Sequence, residues 1–175
     1  MKLTAENLRG FNYQPSYGTT GLDLWMRFDP DAIRREVERG KRFFPHMNAL
    51  RFWLSWEAFL QDGAKFLRNF ERALTIFADL ELAVMPVLFN RWHDATLDYG
   101  GIYVDHLLAW KHHRTLFKPY LDQVVGGHAD DPRLFAWDLC NEPNPVRDLP
   151  RSDNWNTTGW PACMRIARRT RRRRR

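Results

Sequence analysis

A glutamic acid between an asparagine and a proline is the residue of this chain best placed for catalysis. Glu142 belongs to the segment WDLCNEP (residues 137–143), directly after an apolar run that predicts a β-strand. In an α/β barrel, the carboxyl ends of the strands surround the shared active-site cleft. Nearby tryptophans would partly desolvate such a carboxyl group, disfavour its charged form and keep it protonated at neutral pH. Glu142 is therefore a candidate general acid.

The elements that would position this glutamate alternate between strand and helix patterns. Short apolar runs predict four strands, at residues 8–13, 48–54, 82–89 and 134–140, although Pro86 removes one ladder donor from the third. Each strand starts roughly 35 to 50 residues after the previous one, which leaves room for a helix between them. This alternation is typical of βα units around a parallel sheet, so we expect an α/β fold.

Three helices are predicted between these strands. The first begins at Asp29-Pro30 and ends near Gly40, because Asp caps free backbone N–H groups and Pro suits the first helical position. The second begins at Asp62-Gly63 and carries an apolar stripe at 3.6 residues per turn. That stripe consists of Phe66, Leu67, Phe70, Ala73, Leu74 and Phe77. The third spans residues 104–125, is split or kinked at Pro119, and stops at two glycines.

The composition is that of one globular domain. It is 44% hydrophobic and 27% charged, which excludes wholesale disorder and coiled-coil chains. Eight of the 27 basic residues lie in residues 165–175, so residues 1–164 hold 19 basic and 21 acidic groups and are mildly acidic. The two cysteines, Cys140 and Cys163, cannot by themselves form a disulfide framework or a zinc site. No apolar run is long enough to span a membrane, and no signal peptide is visible.

The segment around Glu142 resembles the Asn-Glu-Pro signature of the clan A glycoside hydrolases. These retaining (β/α)8-barrel enzymes include the family 5 cellulases and mannanases. The segment GFNYQP (residues 10–15) is similar to the first-strand motif of the clan. Arg51 lies where family 5 enzymes have an arginine on the second strand, and His93 matches a histidine just after the third strand. The resemblance covers residues 8–164 and implies the amino-terminal half of a TIM barrel, truncated to about four βα units.

The resemblance also implies roles for individual residues. Glu142 would be the catalytic acid/base, and Asn141 would hydrogen-bond the 2-hydroxyl of the sugar. Arg51 would lie in the active site and His93 would border the substrate. Trp92 and Trp155, which fall in loops, are candidate platforms for the apolar faces of sugar rings. Each residue also has a non-functional interpretation. Glu142 could be a surface residue in a turn after a strand, Arg51 could neutralise nearby acidic groups, and His93 could form hydrogen bonds only within its loop.

The implied reaction is retaining hydrolysis of a β-linked glycan, with β-mannan as the first substrate candidate and β-glucan as the second. No metal or organic cofactor is expected. The clan takes its nucleophile from a glutamate on the seventh strand, which a half-barrel lacks, so hydrolysis is expected of the parent family rather than of this chain. Members of the family are often secreted or periplasmic, and the sequence leaves the compartment open.

Two alternative functions remain open. Residues 165–175 form an arginine-rich tail, which is expected to be either disordered or the product of a shifted reading frame. Such a tail could bind nucleic acid without sequence specificity, although residues 1–164 offer no base-reading element. The other alternative is a non-catalytic carbohydrate-binding half-barrel. A chain of four βα units leaves the first and fourth strands with unpaired edges, which predicts poor solubility or self-association through those edges.

Overall fold

The computed structural model describes residues 3–89, 115 and 117–141. The chain divides into two compact units, Met1–Asn90 with Pro132–Leu139 and Arg91–Asp131 with Cys140–Arg175. The described helices and strands are, in order, β1 (Gly10–Tyr13), α1 (Gly21–Met26), α2 (Pro30–Phe43), β2 (Ala49–Trp53), α3 (Trp56–Gln61), α4 (Gly63–Asp79), β3 (Ala83–Phe89), α5 (Lys118–Gly127) and β4 (Asp138–Cys140).

Some of the sequence-based predictions lie outside the described residues. These are the first part of the third predicted helix, the arginine-rich tail at residues 165–175 and four of the predicted site residues. The four are Glu142, His93, Trp92 and Trp155.

The four predicted strands form one sheet in the order β1-β2-β3-β4. β1 and β2 pair in parallel with Asn12 opposite Arg51, and β2 and β3 pair in parallel with Arg51 opposite Met85. A parallel bridge between Val84 and Leu134 joins the last segment to β3. The prediction of an α/β fold built on a parallel sheet is confirmed.

α2 begins where the sequence predicts. The Asp29 carboxylate accepts the N–H of Ala32 at 2.8 Å, and Pro30 occupies the first turn, where its missing N–H is not needed. The helix runs three residues beyond the predicted end, because Gly40 still accepts a hydrogen bond from the N–H of Phe44. A glycine inside a helix weakens it without ending it. The buried side chains of α2 include Ile33 and Val37.

α4 buries most of the predicted apolar stripe. Asp62 caps the helix by accepting the N–H of Lys65 at 2.8 Å. The buried positions are Phe66, Phe70, Ala73, Leu74, Ile76 and Phe77. Burial of such a stripe against other elements, rather than intrinsic propensity, provides most of the stability of a helix in a protein. α4 contacts both α2 and β3. None of the described helices, α4 included, is long and apolar enough to cross a membrane.

Two short helices are absent from the sequence-based prediction. α1 and α3 have six residues each, too few to show a periodic stripe. Each begins at a hydroxyl cap: the Thr20 Oγ accepts the N–H of Asp23 at 3.0 Å, and the Ser55 Oγ accepts the N–H of Ala58 at 3.1 Å. These caps were the available signal, since Ser and Thr are strongly preferred before a first helical turn.

The sheet tolerates Pro86 in the middle of β3. The carbonyl of Val87 accepts the N–H of Leu54 at 3.0 Å, so the backbone N–H and C=O groups of residue 87 point towards β2. Backbone groups alternate in direction along a strand, and residue 86 therefore faces away from β2. Its missing N–H removes no hydrogen bond between β2 and β3. The regular part of β4 is shorter than the predicted residues 134–140, with only a single bridge at Leu134 before it.

α5 accounts for the end of the third predicted helix. Pro119 lies in the first turn of α5, where proline is tolerated. The helix therefore begins at Lys118, directly before the proline, and Pro119 does not interrupt it. The helix ends at Gly127, in agreement with the predicted stop.

β1 approaches β2 so closely that residue 10 must be glycine. A Cβ atom at Gly10 would lie 2.6 Å from the carbonyl oxygen of Ala49, a backbone atom that cannot move aside. Glycine permits this approach because it has no side chain. The contact lies at the amino end of β1, and it fixes the spacing of the two strands that carry Asn12 and Arg51.

Candidate active site

Alternation along β2 places Arg51 on the face of the sheet opposite the helices. Its neighbour Phe52 is buried, with its ring centroid 5.1 Å from that of Phe77 on α4. Successive side chains of a strand point to opposite faces, so Arg51 points to the other side. Asn12, its partner in register on β1, shares this face.

The guanidinium of Arg51 forms an ion pair with Asp138 of β4. Its Nε donates to Oδ2 of Asp138 at 2.8 Å, and its Nη2 donates to the same oxygen at 2.5 Å. The two side chains are only 19% and 23% exposed. Charge-assisted hydrogen bonds of this kind are stronger than neutral ones, and partial burial reduces screening by solvent. The pair joins β2 to β4 across the intervening strand.

Two further contacts hold the same guanidinium. Its Nη1 donates to Oδ1 of Asn12 at 3.2 Å. Its central carbon lies 4.6 Å from the ring centroid of Trp53, which is within the range of a cation–π interaction. Arg51 is thus held by side chains from β1, β2 and β4, and its planar group presents a fixed set of hydrogen-bond donors.

A residue of α1 forms a hydrogen bond with the backbone of Trp53. The indole Nε1 of Trp25 donates to the carbonyl oxygen of Trp53 at 3.1 Å. The indole Nε1 of Trp53 is buried and has no hydrogen-bond partner among the described residues. A buried donor without a partner carries a desolvation penalty.

A second hydrogen-bonded group anchors the end of β1 on the helix side. The Tyr13 hydroxyl donates to Oε2 of Glu36 at 2.8 Å, and the Ser16 hydroxyl donates to Oε1 of the same carboxylate at 2.5 Å. Glu36 lies on α2, so these bonds tie the loop after β1 to that helix. Burial raises the pKa of Tyr13 above its ordinary value, and the bond to Glu36 adds to the effect.

We expect the fold to be lost in alkali as the two tyrosines near β1 ionise. Burial also raises the pKa of Tyr17, to about 12. In the unfolded chain both phenols ionise at about 10. The contribution of Tyr17 to stability is therefore complete below pH 10 and is lost as the pH rises through about 12. The contribution of Tyr13 is likewise complete below pH 10 and declines as the pH rises above that value.

Phenolate absorbance and circular dichroism, followed together from neutral to alkaline pH, test this expectation. The loss of helical signal should accompany ionisation of the last phenols, and Tyr13→Phe should make the loss less steep. Ionisation of all tyrosines near pH 10 with an unchanged circular dichroism signal would contradict it.

The structure describes two of the six predicted site residues. Arg51 is held as described above, and Asn141 follows β4 directly and is half-buried. Their predicted roles, like those of the four residues outside the described ranges, stay predictions. Sequence analysis did not assign a role to Asp138. The available signal was a carboxylate within an apolar strand, since a charge in such a place nearly always has a partner.

The arrangement can orient a polar ligand, because a fixed guanidinium donor, an amide and an aromatic surface meet at one sheet face. Sugars offer hydroxyl groups for the donors and apolar C–H faces for the ring.

No family model matches the chain. Over 96 residues the chain is 29% identical to a probable mannan endo-1,4-beta-mannosidase C from Aspergillus terreus, a match that covers 49% of this chain and 24% of that protein.

Two solved structures are similar in fold. The endo-1,4-beta-mannanase from Rhizomucor miehei aligns with a TM-score of 0.63 and 17% identity, over 91% of this chain and 52% of that one. The GH5_18 protein from Streptomyces cattleya, solved in complex with GlcNAc, aligns with a TM-score of 0.59 and 15% identity, over 93% of this chain and 42% of that one.

These proteins are glycoside hydrolases, and the chain spans only about a quarter to a half of their length. At such low identity the structural matches establish the fold. The four parallel strands, their connecting helices and these similarities together confirm the predicted fold class. The chain has a GH5-like fold that corresponds to about half of a (β/α)8 barrel.

Proposed function

We propose that the chain forms the acid/base side of a retaining glycoside hydrolase that acts on a β-linked glycan, with β-mannan as the first candidate. The observation that carries the proposal is the ion pair between Arg51 and Asp138. It joins the middle of β2 to the first residue of β4 and holds the Arg51 guanidinium, the proposed sugar-orienting donor, in place. The sequence of β4 continues directly into Asn141 and Glu142. The names of two similar proteins, a mannanase and a probable mannosidase, support mannan as the substrate class.

In the proposed reaction, Glu142 donates its proton to the glycosidic oxygen as the bond to the anomeric carbon breaks. A second carboxylate attacks that carbon from the opposite face and forms a covalent glycosyl intermediate, which requires a separation of about 5–5.5 Å between the two carboxyl groups. Glu142 then removes a proton from the water that hydrolyses the intermediate. Asn141 holds the 2-hydroxyl, and Arg51 orients the site.

The second carboxylate is the missing part of this scheme. The resemblance places it on the seventh strand of the barrel, and the four described strands do not include that position. The share of this chain in the reaction is therefore sugar binding and protonation of the leaving group. Complete turnover requires the carboxylate to come from outside these four strands.

The experiment compares binding and cleavage of manno- and gluco-oligosaccharides by the wild-type chain and by Glu142→Gln. We expect wild type to bind manno-oligosaccharides and, with added formate in the place of the second carboxylate, to release the leaving group from an aryl β-mannoside that has a poor leaving group. Loss of the general acid should lower that rate by about 100-fold or more while binding is retained. Glu81→Gln is the matched control, because Glu81 is an exposed glutamate in the turn before β3, and it should change neither quantity.

The other outcomes discriminate among the alternatives. Binding without cleavage by wild type would overturn the hydrolase proposal and support the non-catalytic carbohydrate-binding half-barrel. Absence of binding to either series of oligosaccharides would overturn both.

A further inference from the structure

A row of polar side chains crosses the face of the sheet opposite the helices. Asn12 and Arg51 are opposite one another in the register of β1 and β2. Arg51 reaches across β3 to Asp138 on β4. We call Asn12, Arg51 and Asp138 the polar row. Hydrogen bonds connect its members one after another, so the orientation of each group determines what the next group can offer.

The guanidinium of Arg51 fixes the orientation of the Asn12 amide. A guanidinium only donates hydrogen bonds, whereas a carboxamide has one acceptor oxygen and an amino group with two donors. Nη1 of Arg51 donates to Oδ1 of Asn12 at 3.2 Å. With the opposite orientation of the amide, two donors would face each other. The chemistry of the contact therefore assigns which end of the amide is the oxygen.

The other end of this amide is a pair of hydrogen-bond donors. Oδ1 and Nδ2 extend from the same carbon in different directions, so the contact of Oδ1 with Arg51 directs Nδ2 away from the guanidinium. Within the described part of the chain, no atom accepts a hydrogen bond from Nδ2 of Asn12. The side chain is exposed. Two N–H groups are thus presented beside Arg51, at the candidate active site.

The charge of the polar row favours a neutral ligand. The carboxylate of Asp138 compensates the charge of the Arg51 guanidinium, to which it is bound at 2.8 Å. Asn12 contributes a dipole and no net charge. An anion gains most from an arginine that has no carboxylate of its own. An uncharged ligand rich in hydroxyl groups suits this row better, because each hydroxyl oxygen has lone pairs that accept hydrogen bonds.

We propose that Asn12 is a further sugar-binding residue, whose Nδ2 donates a hydrogen bond to a hydroxyl oxygen of the glycan. The observation that carries the proposal is the bond from Arg51 to Oδ1, which leaves Nδ2 as the end of the amide available to a ligand. The inference rests on the proposed function, since the glycan must bind at the face of the sheet that carries Arg51. It adds a residue to which sequence analysis assigned no role.

Two substitutions separate sugar binding by Asn12 from mere support of Arg51. Asn12→Asp replaces the amino group with an oxygen but keeps an acceptor for Nη1, so Arg51 stays in place. Asn12→Leu removes the acceptor and the donors at a similar side-chain size. In isothermal titration of the full chain with manno-oligosaccharides, we expect both variants to raise the dissociation constant by about tenfold, because each loses the hydrogen bond to the ligand.

A purely supporting role gives a different result. In that case Asn12→Asp would bind like wild type and only Asn12→Leu would bind more weakly, which would overturn the proposal. Equal affinity in all three proteins would overturn it too. Gln123→Glu is the matched control, because it makes the same change from amide to acid at an exposed position on α5. This control should bind like wild type.

Further measurements distinguish the possible failures. Urea unfolding should give Asn12→Asp a midpoint no lower than that of wild type, because the guanidinium keeps its partner; a variant that does not fold would contradict this geometry and overturn the proposal. Wild type that binds neither manno- nor gluco-oligosaccharides would overturn the proposed function and this inference together. Wild-type binding that Asn12→Asp retains in full would overturn only the role of Asn12.

Discussion

Replacing Trp25 with alanine is expected to lower the free energy of unfolding by about 3–5 kcal/mol, the range for truncation of a large buried aromatic residue. Trp25 is only 3% exposed, and its ring packs against four phenylalanines, one in the loop after α1, one on β2 and two on α4. They are Phe28, Phe52, Phe66 and Phe70, with centroid distances between 4.5 and 6.3 Å. The substitution leaves a cavity and removes the hydrogen bond to the Trp53 carbonyl.

Urea unfolding, analysed by linear extrapolation, measures this loss. Trp25→Phe separates the two contributions, since it keeps an aromatic ring but lacks the indole donor; it should cost about 1–3 kcal/mol, mainly from the carbonyl left without its partner. Leu60→Ala is the surface control and should change the free energy by less than about 0.5 kcal/mol. If Trp25→Ala were as stable as this control, α1 would not be part of the core.

Asp138→Asn is expected to cost about 1.5–3 kcal/mol, the range for hydrogen bonds to a charged group. Removing the negative charge weakens two hydrogen bonds of the partly buried Arg51 guanidinium, while its contacts with Asn12 and Trp53 remain. Asp79→Asn is a matched control. Asp79 pairs with Arg34 at 2.6 Å, but those side chains are 51% and 34% exposed. Exposed pairs contribute at most about 1 kcal/mol, so the control should cost less.

The same two variants separate a positioning role from a purely structural one. If Asp138 orients Arg51 for sugar binding, Asp138→Asn should weaken manno-oligosaccharide binding by about tenfold even well below its unfolding midpoint. Asp79→Asn should bind like wild type. Equal stability and equal affinity in both variants would show that the ion pair contributes to neither.

Local patterns predicted the fold because its main elements are long or strongly periodic. The stripe on α4 and the cap at Asp29 depend on residues close in sequence, and both are present in the structure. The short helices were missed because six residues cannot display a period. The burial of Trp25 could not be predicted from the sequence either, since its partners on β2 and α4 come together only when the sheet and the helices pack.

The candidate site was predictable in one respect and not in another. The resemblance singled out Arg51, but no local pattern could pair it with Asp138, because the two are 87 residues apart in sequence. Strand alternation gives the face of each residue only after the register is known. The register depends on β3 lying between β2 and β4, which is a property of the whole sheet.

The distance in sequence between Arg51 and Asp138 has a consequence for folding kinetics. Contacts between distant segments form late, because closing a long loop costs entropy before the contact can repay it. β4 is the last of the described strands in sequence order, and the ion pair can form only after this strand has joined the sheet. Weakening the pair should therefore accelerate unfolding and leave the folding rate nearly unchanged. A sugar bound at Arg51 would protect the chain in the same manner, by slowing its opening.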